Sequence, residues 1–468
     1  MRTATLSAIL FAAIAAALAV GQAPSDSDMF WHLTSGEWML DHGQILDRDL
    51  FSYTREGQPY SVGQWLGQIV LALAYRAGGW LGIDVLRAAL VGVATFFLAR
   101  LTLRVQPHVG WAALPILSTV LVSRLVWGER PQLFTLALFA LVLDVVLATR
   151  ADGRVWRLAL LPPLFLVWAN LHNAFVLGIA ILAIATIDTL LERVAGQRRA
   201  FVLALVGALA LAQVNPAGAG AIGRAVAYGA LLPDWIVEDR PLDVLSPAGV
   251  LFATLLLLAL GAALACGREG IADRLGAPLL WPGLIPVFTV LALAIQRETP
   301  YACIVLGPFV AAMVPDALGR PRVADLLVPR AAALAACVAL AAALVSFAAL
   351  TAPREPDLSR YPVGALARLD PLRGNLLNEY DWGGYLIRYS PAHPTFVDGR
   401  GEALFVPDVV RDFQTVAKLR SGYREVLARW DIRVALLRPD RPLAGALSED
   451  GWRVRGEEPG RWILLERP

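Results

Sequence analysis

The chain is predicted to be an α-helical polytopic membrane protein that carries a small extracytoplasmic α/β domain at its C-terminus. Three observations predict it. Of the 468 residues 57% are hydrophobic and 17% charged, with a mean hydropathy of +0.57, which is more apolar surface than one soluble core can hide. Apolar runs long enough to cross about 30 Å of hydrocarbon recur as far as residue 351. After Pro353 the composition changes to that of an ordinary soluble domain.

The apolar runs fall near residues 5–22, 80–103, 110–126, 132–149, 157–171, 174–191, 200–214, 247–266, 278–296, 301–315 and 330–351, giving about eleven spans. The first also reads as a signal peptide, since Arg2 precedes a short Ala-rich core and small residues follow at Gly21 and Ala23. Either choice puts Asp26 outside. With the N-terminus in the cytoplasm, the inner loops carry Arg100, Arg104, Arg150, Arg154, Arg157, Arg193, Arg198, Arg199, Arg268, Arg274, Arg320, Arg322 and Arg330, a positive-inside bias. An odd number of spans leaves the C-terminal part outside. The expected organisation is a transmembrane domain over residues 1–351, with a first extracytoplasmic loop at 23–79, and an extracytoplasmic domain over 352–468. The expected location is the cytoplasmic (inner) membrane.

The formal net charge of +2 implies neither a nucleic-acid patch nor a strongly acidic partner. Lys418 is the lone lysine, so a Schiff-base lysine in the membrane part is excluded. Cys266, Cys303 and Cys337 lie in or beside apolar runs and read as small core residues.

The first loop is long and polar, and opens with Asp26-Ser27-Asp28-Met29-Phe30-Trp31-His32. Met29, Leu33, Gly36 and Leu40 follow helical spacing, which predicts a short amphipathic helix able to lie along the bilayer surface. Trp31, Trp38, Trp65 and Trp80 suit an interfacial belt. A turn near Gly57 and Pro59 precedes a second amphipathic stretch at 64–75. In the C-terminal part, β-like runs at 375–380, 395–397, 434–437, 452–455 and 462–466 alternate with helical patterns at 406–420 and 423–430.

The connections predicted outside mix acids, amides, histidine and aromatics. They hold Glu129-Arg130, Asn170-Leu171-His172-Asn173, Asn215-Pro216, Asp234-Trp235 through Glu238-Asp239-Arg240, and Arg297-Glu298. One face of the bundle therefore reads as a site.

The arrangement resembles the GT-C glycosyltransferases, a superfamily that includes protein O-mannosyltransferases, aminoarabinose transferases and oligosaccharyltransferase catalytic subunits. The residues that carry the resemblance run from Asp28-Met29-Phe30-Trp31-His32-Leu33 through Gly36-Glu37-Trp38-Met39-Leu40. The chain also resembles a group of bacterial polytopic membrane proteins bearing patterns like Trp168-Ala169-Asn170-Leu171-His172, Asn215-Pro216-Ala217-Gly218, Asp381-Trp382-Gly383-Gly384-Tyr385-Leu386 and Val397-Asp398-Gly399-Arg400. The resemblance implies a polyprenyl-phosphate-linked sugar as donor, a glycan, lipid or protein acceptor, and an acid in the first loop. That acid maps onto Asp28, with Asp26 as neighbour, although Met29 stands where the common pattern has a further acid.

Two roles are open to Asp28: general base for the acceptor hydroxyl, or cap of the helix that follows it. Asp26 reads as a cap, loop acid or metal helper, since the Asp-x-Asp spacing can hold a divalent cation. Arg130, Arg240 and Arg297 are candidates for the donor phosphate, while Glu129 with Arg130, and Glu298 with Arg297, can also neutralise one another. His32, Asn170 and His172 read either as substrate contacts or as interhelical hydrogen bonds. Asp398 and Arg400 read as a turn with a surface ion pair, and Asp144 and Asp188 as bundle contacts. Two other classes of function remain open, a transporter or flippase and a membrane scaffold that catalyses nothing.

Overall fold

The computed structural model describes residues 3–60, 63–192, 194, 196–230, 237–277, 279–319, 330–351, 353 and 355–468. Arg2, Arg193, Asp234, Trp235, Arg320 and Arg322, named above, lie outside them. The helices run in chain order α1 (Thr3–Val20), α2 (Met29–His42), α3 (Trp65–Val105), α4 (Val109–Ser123), α5 (Gln132–Asp152), α6 (Leu161–Leu171), α7 (Phe175–Leu191), α8 (Arg198–Leu211), α9 (Ala221–Ala230), α10 (Pro247–Leu275), α11 (Leu280–Ala294), α12 (Thr299–Ala317) and α13 (Arg330–Thr351). Each apolar run named above falls on one of them. Among the described residues five helical segments are long and apolar enough to cross a membrane: Trp65–Val105, Val109–Val126, Gln132–Asp152, Pro247–Leu275 and Gln296–Ala317. Shorter apolar helices at Ala4–Val20, Val155–Leu171, Phe175–Leu191 and Leu280–Ala294 accompany them.

The chain divides into two compact units, Met1–Ala23 with Leu81–Arg354, and Pro24–Trp80 with Glu355–Pro468. The division falls inside α3 beside Gly79, whose φ of 60° and ψ of −143° break the helix. Only glycine adopts that conformation without strain.

In the first unit α12 lies against α4, α10 and α11, α8 against α6 and α7, and α1 against α13. Helix α12 is apolar all round and buried along almost its whole length, as expected of a central helix enclosed by others. Near the helix ends predicted to lie inside, Asp188 is held by Arg150 Nε at 2.8 Å, and Asp144 by Arg100 and Arg104. Both are bundle contacts, as the sequence reading expects.

The second unit joins the first predicted loop to the C-terminal segment. Its sheet has the order β1-β2-β4-β3, built from β1 (Asn375–Asn378), β2 (Ile432–Leu437), β3 (Arg453–Glu458) and β4 (Trp462–Glu466). β1 pairs parallel with β2, and β4 runs antiparallel to both β2 and β3. Continuous apolar runs make β2 and β4 the buried centre, whereas charged, exposed β3 forms an edge protected from further pairing. The parallel β1–β2 connection is long, as such a connection must be, and carries α15 (Gly383–Tyr389), α16 (Gly401–Leu404), α17 (Asp408–Ala417) and α18 (Tyr423–Arg429), after the short α14 (Leu366–Leu369); α19 (Pro442–Glu449) follows β2.

Three expectations are corrected here. Residues 395–397 form no strand of the sheet: Thr395 bridges in parallel to Ser52 of the first loop, because loop backbone rather than a strand satisfies its peptide groups. The stripe of α2 is turned into protein. Of its residues Met29, Leu33 and Gly36 are buried and Leu40 half-buried, and a β-carbon on Gly36 would stand 2.2 Å from the Gln68 carbonyl oxygen, so the small residue marks where α2 crosses the start of α3. Trp31 belongs to no interfacial belt, being buried with its indole N–H bonded to Asp28.

Candidate functional site

Asp28 stands at the N-terminal boundary of α2 with φ −79° and ψ −20°, yet its carboxylate makes no capping bond to the first turn. Its Oδ1 accepts instead from the Trp31 Nε1–H at 3.1 Å. The Asp28 backbone N–H donates to Asp26 Oδ1 at 2.9 Å, so Asp26 closes the turn. Of the two roles open to Asp28 in the sequence, capping is not the one its side chain takes.

Glycines bring two distant motifs onto the segment around Asp28, and one of them, Gly399, onto its carboxylate. A β-carbon built on Gly399 would stand 1.9 Å from Asp28 Oδ1 and 2.8 Å from Trp31 Nε1. One on Gly384 would stand 2.6 Å from the Ser27 carbonyl oxygen, and one on Gly383 would stand 2.4 Å from Asp398 Cβ. No side chain fits at any of the three. Residues 27–31, 383–384 and 397–399 therefore interlock through backbone.

Arg400, next in the same turn, is buried at 1% exposure. Its Nε and Nη2 donate to Asp398 Oδ1 and Oδ2 at 2.7 and 2.6 Å, and its Nη1 donates to Asp49. Asp49 is fixed in turn by the N–H groups of Phe51 and Ser52 at 3.0 and 3.2 Å. The rings of Phe51, Tyr60 and Phe405 surround the guanidinium carbon at 5.2, 5.6 and 5.6 Å. The surface ion pair expected for Asp398 and Arg400 is thus corrected to a buried triad, because Asp49 and three aromatic rings cover it. Burial, opposed by Arg400 and aided by the carboxylates of Asp398, Asp49 and Asp28, pushes the Tyr60 hydroxyl well above its ordinary range. Tyr60 stays a neutral donor.

His32, buried, has its Nδ1 3.1 Å from Gln68 Nε2 on α3. Glu37 accepts from Arg388 Nη1 at 2.9 Å. Among the described residues no group of three or more His, Cys, Asp or Glu is arranged to hold a metal ion.

The remaining candidates lie in the first unit. Glu129 does not neutralise Arg130: it pairs with buried Arg87, which also donates to Asp84 Oδ1 at 2.8 Å. Arg130 instead reaches Glu238, donating from Nη1 to Oε1 at 2.8 Å and from Nη2 to Oε2. Arg297 Nη1 lies 2.9 Å from Asp239 Oδ1 and 4.0 Å from Glu238 Oε1, with Glu298 Oε1 3.9 Å from its Nε. Burial would raise Glu238, but Arg130 and then Arg297 hold it below its usual range. His172 takes part in a 2.9 Å hydrogen bond between its Nδ1 and the Thr135 hydroxyl, and desolvation, reinforced by Arg297 and Arg130, lowers it to about 3. It is a neutral ring at physiological pH. Arg130, Arg297, His172, Glu238 and Asp239 thus form one electrostatically coupled cluster.

Arg240 is exposed, and its carbonyl accepts from the Gln296 N–H at 2.9 Å. Asn170 donates to the Leu166 and Val214 carbonyls at 2.8 Å each, and Asn215 to the Ala169 carbonyl at 2.7 Å. These two amides tie the ends of α6 and α8 together. Sequence reasoning missed Asp49 and Glu238 as partners of the site arginines. Both sit in segments without periodicity, and their roles rest on pairings remote in sequence.

No protein-family model matches the chain, and no curated protein sequence matches it. Its fold is similar to solved structures of the Archaeoglobus fulgidus oligosaccharyltransferase. The form tethered to an acceptor peptide containing the NVT sequon aligns with a TM-score of 0.59 at 12% identity, over 93% of this chain and 69% of that one. The apo form gives 0.56 at 11% identity over the same shares. The archaeal oligosaccharyltransferase AglB in complex with an inhibitory peptide and a dolichol-phosphate gives 0.55 at 11%, again over 93% and 69%. At such identity the likeness is one of fold: this chain shares the fold of those oligosaccharyltransferase structures.

Proposed function

We propose that the protein is a membrane glycosyltransferase that moves a sugar from a polyprenyl-phosphate donor to an acceptor at the outer face of the cytoplasmic membrane, with inversion and with Asp28 as general base. One observation carries the reading. Asp28 stands at a helix start without capping it, and its carboxylate is met by the Trp31 indole and by the backbone of Gly399, where no side chain fits.

In the proposed step Asp28 accepts the proton of the acceptor hydroxyl while that oxygen attacks the anomeric carbon. The bond from that carbon to the phosphate oxygen breaks, and the polyprenyl phosphate leaves with the electron pair. Within the first unit, Arg130 and Arg297 are suited by charge to a phosphate, Glu238 and Asp239 holding the guanidiniums meanwhile. Neutral His172 contributes a hydrogen bond within the same cluster. The likeness to oligosaccharyltransferases, one of them described with a dolichol-phosphate and another with an acceptor peptide, supports a lipid-linked donor. The arginine distribution supports eleven spans with the C-terminal domain outside.

Mass-spectrometric comparison of membrane glycolipids and glycoproteins between a deletion strain and its parent tests the proposal. A polyprenyl-phosphate sugar that accumulates while one glycosylated product disappears is the expected result. Identical profiles under all growth conditions would refute it.

A further inference from the structure

The triad Asp49–Arg400–Asp398 is a poor source of stability. Two carboxylates and one guanidinium leave a negative charge in the interior, and buried ion pairs seldom outperform well-packed apolar side chains of the same volume. What the triad does supply is geometry. Arg400 grips both oxygens of Asp398 through its guanidinium, and its backbone N–H donates to Asp398 Oδ1 at 3.1 Å. The turn is thereby tied on both sides of Gly399, and Asp49, itself held by two backbone N–H groups, anchors the guanidinium.

Gly399 gives an independent second observation. It is not among the glycines with positive φ, so its backbone conformation is open to any residue. Space alone demands glycine there, since a β-carbon would overlap Asp28 Oδ1 at 1.9 Å. Trp31 Nε1 bonds the same oxygen at 3.1 Å. One carboxylate oxygen is thus set between an indole donor and a backbone wall.

We infer that Arg400 is a positioning residue: bridged between Asp398 and Asp49, it presses the Gly399 backbone against Asp28 and fixes the carboxylate where it takes the proton of the acceptor hydroxyl. The inference rests on Asp28 as base. A displacement of about 1 Å in such a group costs on the order of 100-fold in rate. Gly399→Ala delivers that displacement with one methyl group and without removing a charge, and Arg400→Lys keeps a cation that cannot bridge both carboxylates as a planar fork does.

The test uses the full-length protein with donor lipid extracted from the deletion strain, reading the product that the strain lacks. Gly399→Ala is expected to lower kcat about 100-fold, with KM for the donor within about twofold and with folded protein recovered in parental yield, since the methyl group meets the end of the Asp28 side chain, which can turn aside, rather than backbone. Arg400→Lys should lower kcat in the same sense and less than Arg400→Met. Arg453→Ala, on exposed β3, is the neutral control. A purely structural triad would reduce the yield and melting temperature of the Arg400 variants and leave Gly399→Ala with the parental kcat and pH profile, which overturns the inference. If Asp28→Asn transfers sugar at the parental rate, the base reading fails first; if Asp28→Asn is inactive and Gly399→Ala is parental, only the positioning role fails.

Discussion

Gly399 and Asp28, 371 positions apart in the numbering, touch so closely that only hydrogen fits between the Gly399 backbone and the Asp28 carboxylate. The contact makes the first loop and the C-terminal segment one object.

The crossing of α2 on α3 gives a prediction about stability. Because a β-carbon on Gly36 would stand 2.2 Å from a backbone carbonyl that cannot swing aside, Gly36→Ala should destabilise the protein by about 3 kcal/mol, the upper end of ordinary overpacking costs. Thermal unfolding in detergent checks it, and a melting temperature equal to the parent's would contradict the packing described.

The coupled cluster makes a prediction about the donor. With Glu238 holding Arg130 in a bidentate grip, Arg130→Ala should raise KM for the lipid donor roughly tenfold or more, in keeping with the loss of a charge-assisted hydrogen bond. Glu238→Gln removes the competing anion and should lower it. Steady-state kinetics with both variants decide the point; a Glu238→Gln KM above the parent's would show that the carboxylate supports donor binding instead of opposing it.

His172 makes the pH dependence specific. Its folded-state value of about 3 lies below the ordinary value of 6.5, so between those limits the unfolded chain binds a proton that the folded chain refuses. Stability from this residue is therefore complete above about pH 6.5 and is lost as pH falls toward 3. His172→Gln should flatten the fall in melting temperature between pH 6.5 and 4. No difference in slope between parent and variant would place His172 outside that cluster's field.

A reporter active only outside the cytoplasm gives the topological prediction. Fused after Pro468 it should be active, and inserted near Gln197 it should be silent. The reverse pattern would turn every proposed site residue to the wrong side.

Much of this was legible in the chain. The apolar runs mark helices because hydrocarbon-length stretches have few other ways to satisfy their backbone, and β2 and β4 announce themselves as short apolar runs bounded by turns. The acid at Asp28 could be read as a candidate, but its second role, helix cap, could be set aside only by seeing Asp26 close the turn and Trp31 take the carboxylate. Arg400 reads as exposed because most of what covers it is remote: apart from Phe405, the groups around it, Asp49, Phe51 and Tyr60, are more than three hundred positions away. The stripe on α2 matched a membrane-surface helix equally well, since periodicity reports an apolar face and not what lies against it.

The general-base role of Asp28 is the centre of the account, and one measurement reaches it most directly: sugar transfer by purified Asp28→Asn protein beside the parent. Asparagine keeps the size of the side chain and its carbonyl acceptor for Trp31 while losing the proton acceptor. Transfer should fall by at least about 100-fold, the lower end of what a positioned base contributes, with expression and thermal unfolding unchanged. Parental transfer rates in folded Asp28→Asn protein would contradict the account.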